Sequence, residues 1–348
     1  MELISGLENF ISSEEYRTAI GLPAEVCEEY TLLAQGEYNI NYRFTHPSDG
    51  RRLLLRVNCG SQMHLDDQIG YEFRALKMLE RTGRTPRVYY VDGSMRYLGR
   101  GVLVMEELPG HSLDYKTELM RAANILADIH SMEVPEHMVP GPGDRSGLAA
   151  LICPADPLRA ILEESEQMAS VYMSSPLGDD GTKRLIRTLL DKGWKFRESS
   201  GSGTADIPYR CCINTELNST NFLINTDGRD YLIDWEKPLY GDPAQDLGHF
   251  LAPTTTFWKT DVILRKDEME TFIRKYIECV NGRFDTSGLE ERTGAFIAIT
   301  CLRGITWCAM AWVEYREPGR LLTNESTLRK LDQYLEREFL QNIAVYYD

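Results

Sequence analysis

Residues 211–247 read CCINTELNSTNFLINTDGRDYLIDWEKPLYGDPAQDL, and this stretch decides the fold of the chain. It begins with a polar loop and continues into the short apolar run Phe222–Ile224. Turn residues follow at 227–228, an Asp-Gly pair, and a second apolar run lies at 231–233. Two short apolar runs that flank such a turn predict a β-hairpin.

A hairpin brings its outer ends together, so the polar residues on either side of it are expected to converge. Glu216 and Asn221 precede the first strand, and Asp234 follows the second. A single Asp or Asn in a loop is commonly structural, because these residues cap helices and form turns. Two carboxylates and an amide oxygen together suit Mg²⁺, a hard cation that prefers oxygen ligands. The sequence therefore predicts a magnesium site at the open end of the hairpin.

The order and spacing of these residues resemble the catalytic loop and the magnesium-binding aspartate of kinases. The segment is similar to the Brenner motif of the aminoglycoside phosphotransferase and choline kinase family, which typically reads His-Gly-Asp-Leu-His-Pro-Gly-Asn and continues to Ile-Asp-Trp-Glu and Gly-Asp-Pro-x-x-Asp-Leu. The chain keeps the following residues of that pattern: Leu217, Asn221, Ile233, Asp234, Trp235, Glu236, Gly241, Asp242, Pro243, Asp246 and Leu247. It departs in the first half of the pattern, where Asn214 replaces the usual His, Glu216 the catalytic Asp and Asn218 the second His.

The resemblance implies an α+β chain with the protein-kinase-like bilobal fold, a small antiparallel-sheet lobe followed by a larger, mainly helical lobe. We place the nucleotide-binding lobe at residues 1–107. The helical lobe, with the catalytic loop, the metal site and the acceptor pocket, is placed at 108–348. The pattern of the first residues agrees, since one or two short helices in 1–28 are followed by strands predicted at 30–34, 38–44 and 53–57.

The resemblance also implies roles for four residues of the opening stretch. Asn221 and Asp234 would hold Mg²⁺. Glu216 would orient the acceptor hydroxyl and accept its proton. Asp246 would anchor the catalytic loop through hydrogen bonds to the loop backbone.

Three residues of the first lobe are candidates for binding nucleotide phosphates. Gly36 lies in the first predicted hairpin, where a glycine lets backbone amides approach a phosphate; an ordinary hairpin turn is the alternative. Arg56 lies near the end of the third predicted strand, where kinases keep a lysine for the phosphates, and Arg binds phosphate in a fork. Glu72 falls in the helix predicted at 65–82, where the family places the carboxylate that pairs with that base. The alternatives are a solvent-facing strand-end arginine and an exposed helix charge.

Two further strands are predicted near 87–91 and 101–106, and the second leads into Leu-Pro-Gly at 108–110. We interpret this segment as a hinge. In the family, backbone groups of such a hinge take the edge of an adenine, which implies this role for Glu106 and Leu108. An interdomain linker is the alternative, and the two interpretations are compatible.

Beyond the hinge the apolar periodicity predicts mostly helices, at 116–130, 156–173, 180–197, 262–280, 285–317 and 322–345. The helices at 156–173 and 180–197 are interpreted as an insertion, which in the family shapes the acceptor pocket. A Ser/Gly run at 199–203 predicts a flexible linker after them.

The composition excludes some classes of function. The 348 residues carry a net charge of −15, which argues against nucleic acid as a partner, although it would suit a cationic substrate. The same charge is also ordinary for a soluble protein. The eight cysteines include no Cys-x-x-Cys pair and are expected to be reduced core thiols. We recognise no signal peptide and no uninterrupted apolar stretch of transmembrane length, so we expect a cytoplasmic protein without a membrane partner.

The sequence thus predicts an ATP- and Mg²⁺-dependent phosphotransferase that phosphorylates a hydroxyl group of a small molecule. The candidate acceptors are an aminoglycoside, another amino sugar, choline or a similar metabolite. The alternative is a catalytically weak or inactive nucleotide-binding pseudokinase with a regulatory role. It stays open because Glu216 is one methylene longer than the usual Asp, and about 1 Å of displacement costs on the order of a hundredfold in rate.

Overall fold

The computed structural model describes residues 4–36, 38–61, 63–141, 150–199, 207–316 and 325–347. The chain forms two compact units that alternate along the sequence. The first unit comprises Met1–Leu113, Asn124–Cys153 and Thr220–Tyr240, and the second comprises Asp114–Ala123, Pro154–Ser219 and Gly241–Asp348. The lobe boundary predicted after residue 107 stays a prediction.

The secondary structure is mixed throughout the described residues. The strands are β1 (Thr31–Gln35), β2 (Asn39–Thr45), β3 (Arg52–Asn58), β4 (Val88–Asp92), β5 (Gly101–Glu106), β6 (His111–Ser112), β7 (Cys211–Ile213), β8 (Phe222–Ile224), β9 (Tyr231–Leu232) and β10 (Leu239–Gly241). The helices are α1 (Leu7–Ile11), α2 (Glu14–Ile20), α3 (Gln68–Leu79), α4 (Leu119–His130), α5 (Pro157–Ser174), α6 (Asp180–Ser199), α7 (Pro243–Leu251), α8 (Pro253–Lys259), α9 (Lys266–Val280), α10 (Leu289–Glu314), α11 (Glu325–Leu335) and α12 (Arg337–Ile343).

The first unit is organised around a five-stranded antiparallel sheet in the order β1-β2-β3-β5-β4. Alternate residues of a strand lie on the same face, and on β3 the residues of one face, Leu53, Leu55 and Val57, pack into a core. Phe10 and Tyr16 of α1 and α2 pack into the same core. The strands predicted from the sequence are confirmed to within a residue or two at each end.

Helix α3 belongs to the same unit and carries one of the predicted site residues. Its start is fixed by Asp67, whose side chain accepts a hydrogen bond from the Gly70 N–H at 2.9 Å. The helix predicted at 65–82 corresponds to α3 followed by a short 3₁₀ turn at Glu80–Thr82. Glu72 is among the buried residues of this helix, so its side chain lies in the interior rather than in solvent.

Strands β6, β8 and β9 form a second antiparallel sheet of the first unit, in which Phe222 pairs with Leu232. Gly228 in the loop between β8 and β9 has φ 123°, a conformation that favours glycine. The Asn225 N–H donates to the Asp230 carboxylate at 2.9 Å and closes this loop. The predicted hairpin is therefore confirmed, with a second strand that ends one residue earlier than predicted.

The second unit is mainly helical and is built around α10, which packs against α5 and α7. By length and composition alone α10 could cross a membrane, but 72% of its most apolar window is buried inside the protein, as in a core helix. Together the antiparallel sheet and the helical unit confirm the predicted α+β, kinase-like class.

The predictions for the helical part hold in some places and fail in others. The insertion helices predicted at 156–173 and 180–197 are confirmed as α5 and α6. The single helix predicted at 322–345 is wrong, because Glu336 is extended (φ −62°, ψ 138°) and separates α11 from α12. Helix α7 was missed, although Asp242 caps it and Pro243 occupies its first turn, which is typical of a helix start. Of the predicted Ser/Gly linker, residues 200–203 lie outside the described residues.

Candidate functional site

The predicted site residues fall in both units and are described unit by unit. Those of the first unit are Gly36, Arg56, Glu72, Glu106, Leu108, Asn221 and Asp234. Glu216 belongs to the second unit.

Arg56 and Glu72 form a buried ion pair between β3 and α3. Nη1 of Arg56 donates to Oε1 of Glu72 at 2.6 Å, and Nε donates to the side-chain oxygen of Asn41 on β2 at 3.0 Å. Only 7% of Arg56 and 1% of Glu72 are exposed. Neither residue is therefore the solvent-facing charge that the sequence left open as an alternative. The pair fixes a guanidinium in one orientation inside the first unit.

Asn221 and Asp234 lie at the open end of the β8–β9 hairpin, as predicted. The N–H of Ile233 donates to the carbonyl oxygen of Asn221 at 2.9 Å, so Asp234 follows directly after a hydrogen-bonded pair. Asp234 has φ 66°, in the left-handed region that few residues other than glycine adopt. The next residue, Trp235, is fully buried and donates its indole N–H to the Leu232 carbonyl at 3.2 Å. This packing holds Asp234 in a conformation that costs on the order of 1–3 kcal/mol.

Two further carboxylates surround the Arg56 guanidinium. Asp234 Oδ1 lies 3.5 Å from Nη2, and Glu236 Oε1 lies 3.7 Å from Nη1. Burial, opposed by Arg56, raises the pKa of Glu72 to about 7. Burial and the neighbouring Asp234 raise the pKa of Glu236 to about 8. The amide of Asn39 donates a hydrogen bond to Glu236 and fixes its carboxylate.

These side chains offer oxygen donors to a cation, but within the described residues no group of three or more His, Cys, Asp or Glu side chains is arranged to hold a metal ion. Three carboxyl groups face a single guanidinium, and the raised pKa values of Glu72 and Glu236 allow these two groups to hold protons near neutral pH. Within the described residues, Glu72 Oε2 is buried without a hydrogen-bond partner, which indicates an electrostatic demand that the chain itself does not meet. The carboxylate of Asp234 is 43% exposed and accessible to a ligand. Carboxylate and amide oxygens are the ligand types that Mg²⁺ prefers. The assignment of Asn221 and Asp234 as its ligands stays a prediction.

The predicted phosphate loop and hinge have simple local geometry. The N–H of Gly36 donates to the carbonyl of Asn39 at 2.9 Å and closes the β1–β2 turn. A Cβ added at Gly36 would meet no atom closer than 3.8 Å, so the turn itself does not require a glycine. The N–H of Glu106 donates to the Arg87 carbonyl at 2.8 Å and is committed to the sheet. Leu108 lies two residues beyond the end of β5. The nucleotide contacts of Gly36, Glu106 and Leu108 stay predictions.

In the second unit, Asp246 anchors the loop that carries Glu216. This fully buried carboxylate accepts the backbone N–H groups of Asn214 at 2.8 Å and Thr215 at 2.7 Å. Asp246 lies in the first turn of α7, where the helix dipole favours a negative charge. The anchoring role predicted for Asp246 is confirmed.

The loop backbone is strained at the residue before Glu216. Thr215 has φ 71°, an unusual conformation for a β-branched residue. The family pattern has Gly at this position, where such a φ carries little cost. The side-chain oxygen of Asn214 accepts the Glu216 N–H at 3.1 Å and closes the loop locally. The unusual backbone thus determines where the Glu216 side chain starts.

The Glu216 carboxylate is in contact with a cation of helix α10. Nη2 of Arg303 donates to Glu216 Oε1 at 3.4 Å. The same guanidinium makes a two-point contact with Glu164 of α5, Nε to Oε2 at 2.8 Å and Nη2 to Oε1 at 3.1 Å. Burial opposes the charge of Arg303, but Glu164 and then Glu216 outweigh it and raise the pKa of the guanidinium.

Two residues of these clusters are not among the site residues predicted from the sequence. Glu236 is part of the Ile-Asp-Trp-Glu segment that carried the resemblance, so its place in the motif was an available signal. Arg303 lies 87 residues from Glu216 in a helix that reads as core, and no local pattern distinguishes it.

A buried cation–carboxylate pair between a strand and a helix, with an Asn and an Asp brought together by a hairpin, is how kinases hold the phosphates and metal of a nucleotide. Fold and residues together define the class of kinase-like phosphotransferases. The model of the phosphotransferase enzyme family, APH, matches residues 29–277, and the chain belongs to this family. It is therefore a small-molecule kinase, a phosphotransferase with an alcohol group as acceptor. The resemblance inferred from the motif is confirmed.

Solved structures with the same fold include proteins described as aminoglycoside or spectinomycin phosphotransferases and a choline kinase. A protein from Ralstonia eutropha JMP134, described as a putative aminoglycoside phosphotransferase, is 15% identical, with a TM-score of 0.67 and coverage of 98% of this chain and 97% of that one. Choline kinase from Cryptosporidium parvum is 14% identical, with a TM-score of 0.66 and coverage of 97% and 96%. Spectinomycin phosphotransferase, solved with ADP and spectinomycin, is 11% identical, with a TM-score of 0.61 and coverage of 97% of each chain.

Proposed function

We propose that the protein transfers the γ-phosphoryl group of ATP to a hydroxyl group of a small molecule in a Mg²⁺-dependent reaction. The observation that carries this proposal is the buried Arg56–Glu72 pair, with Asp234 Oδ1 3.5 Å from the same guanidinium. The ADP bound in the structure of spectinomycin phosphotransferase supports a nucleotide as the phosphoryl donor. Phosphoryl transfer needs mainly positioning and charge stabilisation, which such fixed side chains supply.

The first unit would bind the nucleotide. The guanidinium of Arg56, oriented by Glu72, would neutralise the inner phosphates, and backbone amides around Gly36 would cover them. Asn221 and Asp234 would hold Mg²⁺, which when bound would offset the charge of the outer phosphates. The hinge backbone at Glu106 and Leu108 would take the adenine edge; that assignment extends the family resemblance to these residues.

Glu216 would act on the acceptor. The acceptor oxygen forms a bond to the γ-phosphorus while the bond from that phosphorus to the β–γ bridging oxygen breaks. ADP leaves with the electron pair of the broken bond, and the hydroxyl proton passes to the Glu216 carboxylate. Charge and intrinsic acidity are nearly the same for Glu and Asp, so Glu216 retains the chemistry of the usual residue.

The acceptor belongs to the small alcohols on which the relatives act. An aminoglycoside, another amino sugar, choline or a similar metabolite fits this class. The net charge of −15 is compatible with a cationic acceptor. The printed names of the solved relatives, which include choline kinase, ethanolamine kinase and spectinomycin phosphotransferase, define the first set of acceptors to test.

One observation favours the alternative, a nucleotide-binding regulator with little or no turnover. The Glu216 carboxylate is engaged by Arg303 at 3.4 Å. A carboxylate that stays engaged in the presence of an acceptor would not take up a proton efficiently. Turnover by the wild-type protein decides between the two functions.

The first test is a calorimetric titration with ATP, run once with Mg²⁺ and once with a chelator. Tight binding only with Mg²⁺ supports the proposal, and the Asp234→Asn variant should then lose binding while remaining folded. Asp227→Asn, an exposed substitution in the loop of the same hairpin, serves as the matched control and should bind normally. An ATP affinity that changes neither on removal of Mg²⁺ nor in the Asp234→Asn variant would contradict the proposed metal site. ADP release with choline, ethanolamine or spectinomycin then measures turnover.

A further inference from the structure

We propose that Arg303 is a positioning residue for Glu216: held at two points by Glu164, it fixes the longer glutamate carboxylate where the family pattern places an aspartate. The inference rests on the proposed function, because it assigns Glu216 to the acceptor side of a phosphoryl transfer. It concerns residues of the second unit only, a loop residue and one residue each of α5 and α10.

The geometry connects the three side chains through one nitrogen. Nη2 of Arg303 donates to Glu164 Oε1 at 3.1 Å and to Glu216 Oε1 at 3.4 Å, while Nε donates to Glu164 Oε2 at 2.8 Å. A two-point contact with one carboxylate leaves a guanidinium little rotational freedom, because its donors lie in one plane. The position of Nη2, and with it the contact with Glu216, is therefore set by Glu164.

The segment of α10 that carries Arg303 is closely packed. The neighbouring Gly304 lies so close to Thr254 of α8 that an added Cβ would be 2.6 Å from the Thr254 Cβ. Helix α10 therefore packs closely against α8 beside Arg303. The Arg303 side chain is only 20% exposed, compared with 50% for Arg187, which pairs with Glu166 between α6 and α5. The Arg303 guanidinium is thus better shielded than that of Arg187, although Glu164 is 40% exposed and Glu166 34%.

A glutamate at position 216 needs such a partner more than an aspartate would. The additional methylene adds one rotatable bond, and a freely rotating carboxylate would spend much of its time away from the acceptor. Since about 1 Å of displacement costs on the order of a hundredfold in rate, a contact that selects one rotamer is worth a measurable factor in kcat. Arg303 supplies that contact at 3.4 Å.

The contact between Arg303 and Glu216 leads to an unusual expectation for aspartate, the residue that the family pattern has at position 216. Asp at position 216 would be too short to keep the contact with Arg303. Glu216→Asp is therefore expected to lower kcat rather than raise it. If the glutamate were a defect, the same substitution would increase kcat.

The experiment compares Arg303→Gln, Arg303→Lys, Glu216→Asp and the double variant Glu216→Asp/Arg303→Gln. The substrate is MgATP, and the probe acceptors are water, choline, ethanolamine and spectinomycin. We expect Arg303→Gln to lower kcat by about tenfold to a hundredfold and to leave the KM for ATP within about twofold, because nucleotide and Arg303 are assigned to different units. Arg303→Lys keeps the charge without the fork and should be intermediate.

Two readouts distinguish positioning from a purely structural role. Removal of the cation beside Glu216 should move the acidic limb of the kcat profile to higher pH, since a nearby cation favours the ionised carboxylate. In the Glu216→Asp background, Arg303→Gln should have little further effect on kcat, because the contact is already lost. Arg187→Gln removes a cation that pairs with the same helix α5 and should change neither readout.

The outcomes separate failure of the inference from failure of the proposed function. The inference is supported if Arg303→Gln lowers kcat and shifts the acidic limb of the profile, and if the effects of the two substitutions on kcat are not additive in the double variant. If the wild type turns over ATP but Arg303→Gln changes only the melting temperature, the inference is overturned and the proposed function stands. If the wild type binds MgATP yet transfers phosphate to none of the probe acceptors, the function and the inference are both overturned. Should Arg303→Gln not fold, Arg303→Lys and Glu164→Gln provide the same comparison.

Discussion

The Nη1 atom of Arg56 lies 2.6 Å from Oε1 of Glu72, and the ion pair that these atoms form is almost completely removed from solvent. The pair joins β3 to α3, so the cation assigned to the phosphates is fixed by the packing of the sheet against the helix. A buried pair of this kind contributes little net stability, because both charges have lost their hydration. Its value for function is a guanidinium held in one place before a nucleotide arrives.

Removal of one member of this pair should be more harmful than removal of both. Arg56→Met leaves Glu72 buried without its cation, so the free energy of unfolding should fall, and most at high pH, where the group must stay charged in the interior or take up a proton. The double variant Arg56→Met/Glu72→Met should recover most of that loss, and neither variant should bind ATP. Urea unfolding and calorimetry measure the two effects. Equal destabilisation by the single and double variants would contradict this account.

The stability of the metal-free protein should fall as the pH rises through the range in which Glu72 ionises. Burial raises the pKa of Glu72 to about 7 from an ordinary value of 4.5, so the folded state binds the additional proton between these values. The resulting stabilisation is fully present below the ordinary pKa and is lost as the pH approaches 7, a change on the order of 3 kcal/mol.

Glu72→Gln has no such proton to lose and serves as the reference. The difference in free energy of unfolding between wild type and Glu72→Gln should therefore move against the wild type between pH 5 and pH 8. Urea unfolding in chelator measures this difference. A difference that is constant across the range would show that Glu72 is ionised throughout.

Loss of the Asp246 anchor should impair turnover without impairing nucleotide binding. Asp246→Ala leaves the buried N–H groups of Asn214 and Thr215 without their acceptor, which should cost about 3 kcal/mol. The Glu216 loop would lose its fixed backbone, while the nucleotide residues belong to the other unit. We expect ATP affinity near that of the wild type together with a strongly reduced kcat. A parallel loss of ATP affinity would contradict this separation.

Thr215→Gly should stabilise the protein. Thr215 has φ 71°, where a β-branched side chain is strained and glycine is not. Glycine also increases the conformational entropy of the unfolded chain, which offsets part of this effect. The free energy of unfolding should therefore rise by about 1 kcal/mol. Thr31→Gly, at the exposed start of β1, is the control and should be destabilising. Thermal unfolding of the two variants compares them directly, and a loss of stability in both would argue against strain at position 215.

Gly36→Ala should separate a phosphate contact from a role in the fold. An added Cβ would meet no atom closer than 3.8 Å, so the melting temperature should stay within about a degree of the wild-type value. If backbone amides around Gly36 cover the phosphates, the methyl group should still weaken ATP binding by about tenfold. Unchanged affinity would assign Gly36 to an ordinary hairpin turn.

Much of this architecture was determined by local sequence. The strands of the first sheet follow from apolar alternation, and the hairpin follows from two short apolar runs around Asp-Gly, because both patterns depend on neighbouring residues only. The same local logic brought Asn221 and Asp234 together, since a hairpin necessarily joins its ends. The anchoring role of Asp246 was predicted from the resemblance to the family motif, which lies within the same short stretch.

Only the tertiary structure decided how the charges are paired. Arg56 is surrounded by Glu72, Asp234 and Glu236, and these residues come from a strand, a helix and a hairpin that are far apart in the chain. Arg303 reaches Glu216 across 87 residues of sequence. Ion pairing depends on distance and burial in space, and periodicity along a chain carries information on neither. For that reason the sequence could indicate which carboxylates matter, while the fold alone decided which cations hold them.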